Sequence, residues 1–135
     1  MKPKKKKGYF SFGLASLVLV IVDWYCQYYF RILDKGVSNT GISFGLGSSW
    51  GNAWPVVILF ALLILVAYFL LKRGGKLSVF YLVLFIGGLG NLIPRILYGS
   101  VWDYINVPAV GLWINLSDIL ISTTLVSYIL TADES

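Results

Sequence analysis

The sequence predicts an all-α membrane protein, with four transmembrane helices and a small extracytoplasmic β/loop cradle between helices 1 and 2. Three observations carry that expectation. Of the 135 residues, 58% are hydrophobic and the mean hydropathy is +0.79, beyond the roughly 45–50% apolar content of a soluble domain. Four apolar stretches, at about 9–30, 54–71, 77–98 and 112–130, each approach the ~20 residues that cross a hydrocarbon core. Basic residues cluster before the first stretch and between the second and third. The chain therefore reads as a single integral membrane domain over 1–135, whose connections are too short for an extramembrane catalytic module.

The first span, Tyr9–Phe30, follows Lys2 and Lys4 to Lys7. Such a cluster is a topology signal rather than a nucleic-acid footprint, and no nucleic-acid partner is expected. No A-x-A-like site follows Leu14–Val22, and Asp23 and a run of aromatics come next, so the span is read as a retained helix and not a cleavable signal peptide. Trp24, Tyr25, Tyr28, Tyr29 and Phe30 form the aromatic belt of a membrane interface. Asp23 then sits just inside the outer boundary, where it either snorkels or pairs with Arg31, or lines a site.

The connection Arg31–Ala53 is rich in Gly, Ser and Asn, as turns require. Ile42, Phe44 and Leu46 alternate with small residues, which fits a short strand or an interfacial segment. A loop of this length is a lid or substrate cradle more often than a plain connector, with Asn39, Thr40 and Gly41 as its polar focus. The second span, Trp54–Leu71, has Pro55 in its first turn and no internal polar group, so it is scaffold. The third, Leu77–Tyr98, carries Gly87, Gly88 and Gly90, which permit close helix approach. Within it Pro94 frees the carbonyl of Gly90, so a kink or an early helix end is expected. The fourth span is Leu112–Leu130.

Orientation follows from basic residues. Lys2, Lys4, Lys5, Lys6, Lys7, Lys72, Arg73 and Lys76 lie on one side, against Arg31, Lys35 and Arg95 on the other. Both termini should be cytoplasmic, with Asp23, the 31–53 connection, Asp103 and Asp118 toward the external face.

The stretch Gly90–Ile121 holds Asn91, Arg95, Asp103, Asn115 and Asp118 in an otherwise lipid-compatible chain. An Asp or Arg near the middle of a membrane helix costs roughly 2.5–3.5 kcal/mol, so such groups face a bundle interior and serve a function. Asn91 and Arg95 are four apart and Asn115 and Asp118 three apart, so each pair shares a helix face. Facing each other, they would gather in one cavity with Asp103 from the intervening connection. Two carboxylates in a low-dielectric site do not both ionise readily, so one holds a proton while the other accepts one, as in aspartic proteases. With no His and a single Cys26, a Ser-His triad and a His/Cys metal site are excluded within the chain, and no cofactor is expected. Intramembrane acids also build proton relays and ion paths, which keeps a small proton- or cation-coupled transport subunit as an alternative.

Taken together, Gly90-Asn91-Leu92-Ile93-Pro94-Arg95, Val101-Trp102-Asp103-Tyr104, Asn115-Leu116-Ser117-Asp118 and the upstream Asn39-Thr40-Gly41-Ile42-Ser43-Phe44 resemble signal peptidase II, the lipoprotein signal peptidase family. These correspond to the family's GNxxDR, VxD-type, NxxD and N-T/S-G-x-x-F patterns, and Asp23 to its late first-helix aspartate. The resemblance implies an aspartic endopeptidase of the bacterial cytoplasmic (inner) membrane. It would remove signal peptides from diacylglyceryl-modified prolipoproteins, cleaving before the lipidated cysteine, and would meet membrane lipids as it does so. Asp103 and Asp118 would be catalytic, with Asp23, Asn39, Gly41, Asn91, Arg95 and Asn115 in supporting or substrate-contact roles. Two positions depart from the family's pattern: Pro94 stands where an acid precedes the motif arginine, and Gln27 where a lysine follows the first-helix aspartate. With Pro94 in place, Arg95 would be set by backbone shape and by Asp103 or Asp118. A catalytically silent relative that still binds lipidated signal peptides is the remaining alternative.

Overall fold

A computed structural model describes residues 4–41, 57, 60–66, 68, 72 and 76–132. In chain order these form helix α1 (Lys4–Ile32), strand β1 (Val37–Asn39), helix α2 (Lys76–Tyr98), strands β2 (Val101–Asp103), β3 (Ile105–Val107) and β4 (Leu112–Ile114), and helix α3 (Leu116–Ala132). Residues 57, 60–66 and 68, within the stretch expected to form the second span, and 72, just after it, are helical as well. Among the described residues, two helices are long and apolar enough to cross a membrane, Phe10–Ile32 and Val79–Tyr98, and Leu116–Thr131 is a shorter apolar helix.

The helices are arranged inside out relative to a soluble bundle. Apolar side chains point outward, from Phe10 (74% exposed) on α1 to Leu130 (65%) on α3, while Asp23, Gln27, Asn91, Arg95, Asp103, Asn115 and Ser117 are buried. That distribution is stable where the surrounding solvent is hydrocarbon, because polar groups then have only one another to bond. The protein is therefore read as membrane-embedded.

Helix α2 packs against both α1 and α3, which touch each other more lightly. Glycine makes the approach possible. A Cβ on Gly90 would stand 2.7 Å from the Cβ of Ser117 on α3 and 3.4 Å from Val20 Cγ2 on α1, so the three helices meet where α2 has no side chain.

Two small antiparallel sheets sit at one end of the helices. β1 pairs with β2 in the register Val37↔Asp103, Ser38↔Trp102 and Asn39↔Val101, and β3 pairs with β4 from Ile105↔Ile114 to Val107↔Leu112. The chain leaves α1 through Gly36, whose φ of +131° and whose closeness to Trp102 (2.7 Å from a built Cβ to Nε1) exclude a side chain.

Three expectations need revision or fall outside the description. The fourth span does not start at Leu112: residues Leu112–Ile114 are a strand, and the helix begins at Leu116. Apolar residues stand on both sides of that junction, so hydropathy does not set strand apart from helix; the cap at Asn115 does. Helix α2 reaches Tyr98, the end expected for the third span, so of the kink or early end expected at Pro94 the early end does not occur; the carbonyl released by the proline finds other partners. The strand expected around Ile42, Phe44 and Leu46 lies outside the described residues; among the described residues of this connection, Val37–Asn39 form a strand.

Candidate active site

Asp103 ends β2, and Asp118 lies in the first turn of α3. The helix start explains the second placement. Asn115 Oδ1 accepts the N–H of Asp118 at 2.9 Å, and Asp118 Oδ2 accepts the N–H of Asn115 at 3.2 Å. This is a reciprocal capping box, so the three-residue spacing reflects a cap and its third helical residue rather than two positions on a helix face. A carboxylate there also lies at the positive end of the helix dipole.

Asn115 then joins the two carboxylates. Its Nδ2 donates to Asp103 Oδ1 at 2.8 Å and to Asn91 Oδ1 at 3.0 Å, and Asn91 Nδ2 donates to Asp118 Oδ1 at 2.8 Å. Asn39, brought alongside by the β1–β2 pairing, donates from Nδ2 to Asp103 Oδ2 at 2.9 Å, while its Oδ1 accepts the N–H of Gly41 at 3.0 Å. Four separate segments thus supply one connected polar network.

Burial pushes the Asp103 carboxyl up to about 6, with the charge of Asp118 adding to the rise and the hydrogen bonds from Asn39 and Asn115 and the charge of Arg95 opposing it. Asp103 therefore exchanges its proton close to neutrality.

Arg95 sits at the edge of the network. Its Nη1 donates to the Asn91 carbonyl at 2.9 Å and its Nη2 to the Gly41 carbonyl. The expected setting of Arg95 by backbone shape and a nearby carboxylate takes the form of hydrogen bonds to backbone carbonyls, with Asp103 close enough to feel its charge, and Arg95 clamps the Asn39–Gly41 turn against α2.

Asp23 neither snorkels nor pairs with Arg31. It is 0% exposed, and its oxygens accept from Gln27 Nε2 (2.9 Å), Ser117 Oγ (2.5 Å), Tyr104 Oη (2.7 Å) and the N–H of Leu116 (3.1 Å). Burial first, and then the Asp23 charge, push the Tyr104 phenol well above its ordinary value, so it remains a donor. Arg31 instead donates to Ser100 Oγ and the Ser100 carbonyl and lies over the rings of Tyr98 and Trp102.

Sequence reasoning missed Ser117 and Tyr104 as partners of Asp23. Each is adjacent in sequence to a named aspartate or lies between motif residues, but only the packing of α1 against α3 shows that they reach a carboxylate so distant in the chain. An open groove of about 230 Å³ leads to Asp118, walled by Val107, Val110, Leu112 and Ile114 of the β3–β4 hairpin and by Ile119. The arrangement offers two carboxyl groups joined by hydrogen bonds, one of which, Asp118, lines an apolar groove, and such a pair can exchange protons with a bound reactant.

Comparison with known proteins identifies relatives of the chain. Residues 15–132 match the family model described as Signal peptidase (SPase) II. A lipoprotein signal peptidase of Blochmanniella pennsylvanica is 35% identical over 102 residues, covering 71% of this chain and 57% of that protein. One of Mesorhizobium japonicum is 41% identical over 90 residues, covering 62% of this chain and 54% of that protein. The chain spans little more than half the length of these relatives. A bacterial membrane enzyme solved by the in meso method at 2.3 Å resolution superposes with a TM-score of 0.76 at 25% identity, covering 90% of this chain and 87% of that one. With nearly all of its helices and strands inside the matched region, the chain belongs to the signal peptidase II family.

Proposed function

We propose that this protein is an intramembrane aspartic endopeptidase that removes the signal peptide from diacylglyceryl-modified prolipoproteins, cleaving before the lipidated cysteine. The observation that carries the reading is the Asn91–Asn115 bridge, which holds Asp103 and Asp118 in one hydrogen-bonded unit beside an apolar groove. The pair shares a proton. Its ionised member takes a proton from water as the water attacks the scissile carbonyl, and its protonated member donates to the carbonyl oxygen; a proton then passes to the leaving amine. Arg95 and Asn39 hold the Gly41 turn and the β1 edge in place around the pair, and the groove accepts apolar substrate side chains or acyl chain from the lipid side.

The same reading includes four spans in a single domain of the bacterial inner membrane, both termini cytoplasmic, and the pair toward the external face. The asymmetry of basic residues supports that orientation. Incubating the purified full chain with a lipidated precursor, and reading the products by mass spectrometry, tests the activity; intact precursor at long times would remove it. A periplasm-active reporter fused after Ser135 should stay dark, and a signal from it would invert the topology.

A further inference from the structure

Pro94 has no N–H, so the carbonyl of Gly90 one turn earlier loses its helical partner. It is not orphaned here. Trp24 Nε1 donates to it at 3.1 Å and Gln27 Nε2 at 3.5 Å, both from α1. The Gln27 Nε2 also donates to Asp23 Oδ2 at 2.9 Å, and the Gln27 Oε1 accepts the N–H of Trp102 at 3.3 Å. Trp102 directly precedes Asp103 in β2, and Gln27 is 3% exposed. One buried amide therefore joins α1, the released carbonyl of α2 and the strand that presents Asp103.

The two ends of this tie are chemically matched. An ammonium at position 27 would donate but has no oxygen for the N–H of Trp102. Any residue other than proline at 94 would return an N–H to the helix and compete for the Gly90 carbonyl. These are also the two positions at which the chain departs from the family pattern of a lysine and an acid, and the hydrogen bonds place both at the same helix contact.

We infer that Gln27 is a positioning residue for Asp103 and that it works as a unit with Pro94, a neutral amide–carbonyl tie standing where a lysine and an acid would form a charged one. The inference rests on the endopeptidase reading for its kinetic readout but not for its structural one. The test is a double-mutant cycle of Gln27→Lys, Pro94→Asp and both together in the full chain, measuring kcat and KM on a lipidated precursor and the thermal midpoint in detergent. Each single change should lower kcat roughly tenfold or more with KM within about twofold, since displaced reacting groups affect turnover more than binding. The double variant should recover to within about threefold of the wild type, and its midpoint should exceed that expected from adding the two single shifts. Losses that multiply, together with midpoints that add, would overturn the coupling. Gln27→Met, uncharged and of similar size, guards against misfolding of the charged variant: a kcat unchanged from wild type would overturn the positioning role. Should the wild type not cleave at all, the endopeptidase reading fails, and the midpoints alone decide the tie.

Discussion

Two carboxylate sites meet at the start of α3, whose first residues bond to both, yet they are built to different ends. Asp23 is enclosed and accepts four hydrogen bonds, two on each oxygen, from α1, α3 and the residue after β2. Asp103 and Asp118 each accept two among the described residues, and Asp118 borders a groove. A carboxylate with its acceptor capacity filled by rigid donors is an anchor: it fixes where α3 starts relative to α1. A carboxylate with capacity left over and an opening beside it can still accept a hydrogen bond from a further partner. The side chain is the same, and the number and rigidity of its donors separate the two roles.

The sharpest way to break that comparison is substitution of the pair. Asp103→Asn or Asp118→Asn should each lower cleavage of a lipidated precursor by on the order of 10³-fold, since each removes half of a coupled proton exchange, while membrane insertion and thermal midpoint stay close to wild type. Turnover within tenfold of wild type would remove that residue from the pair. Asp23→Ala should do the reverse in kind. It leaves four donors without their acceptor, two of them on the buried side chains of Gln27 and Ser117, and each buried donor left unsatisfied costs about 1–3 kcal/mol, read as a large drop in thermal midpoint. If Asp23→Ala instead kept its midpoint and lost only activity, Asp23 would belong with the chemistry and the distinction would collapse.

Smaller effects sharpen it. Arg95→Ala releases the carbonyls of Asn91 and Gly41 and should reduce activity roughly tenfold or more, and by more than Pro94→Ala, which restores a backbone N–H and removes no side-chain contact to the turn. The reverse order would place the proline, not the arginine, in control of the Gly41 turn. Asn39→Ala should change rate least but move the pH profile. The Asn39 amide favours the ionised form of Asp103, so its loss raises a value already pushed up to about 6. The limb of the kcat/KM profile that belongs to Asp103 should therefore shift to higher pH, and a shift downward or none would remove Asn39 from the control of that proton.

Composition and pattern alone establish the membrane class, the described helices as apolar blocks, and Asn91, Arg95, Asp103, Asn115 and Asp118 as polar residues that gather, because hydrocarbon makes every buried Asp, Asn and Arg costly unless it is paired. The sequence also placed Asp103 in a connection between helices. It did not show where strand gives way to helix between Leu112 and Leu116, since both are apolar and only the capping bonds of Asn115 and Asp118 mark the change. Nor did it separate Asp23 from the other two aspartates. That distinction depends on Ser117, Tyr104 and the Leu116 N–H reaching a carboxylate on α1, and on a proline in α2 whose released carbonyl is met by Trp24 and Gln27. These contacts join residues more than sixty positions apart, and only the packing of α1, α2 and α3 around Gly90 brings them within hydrogen-bonding distance.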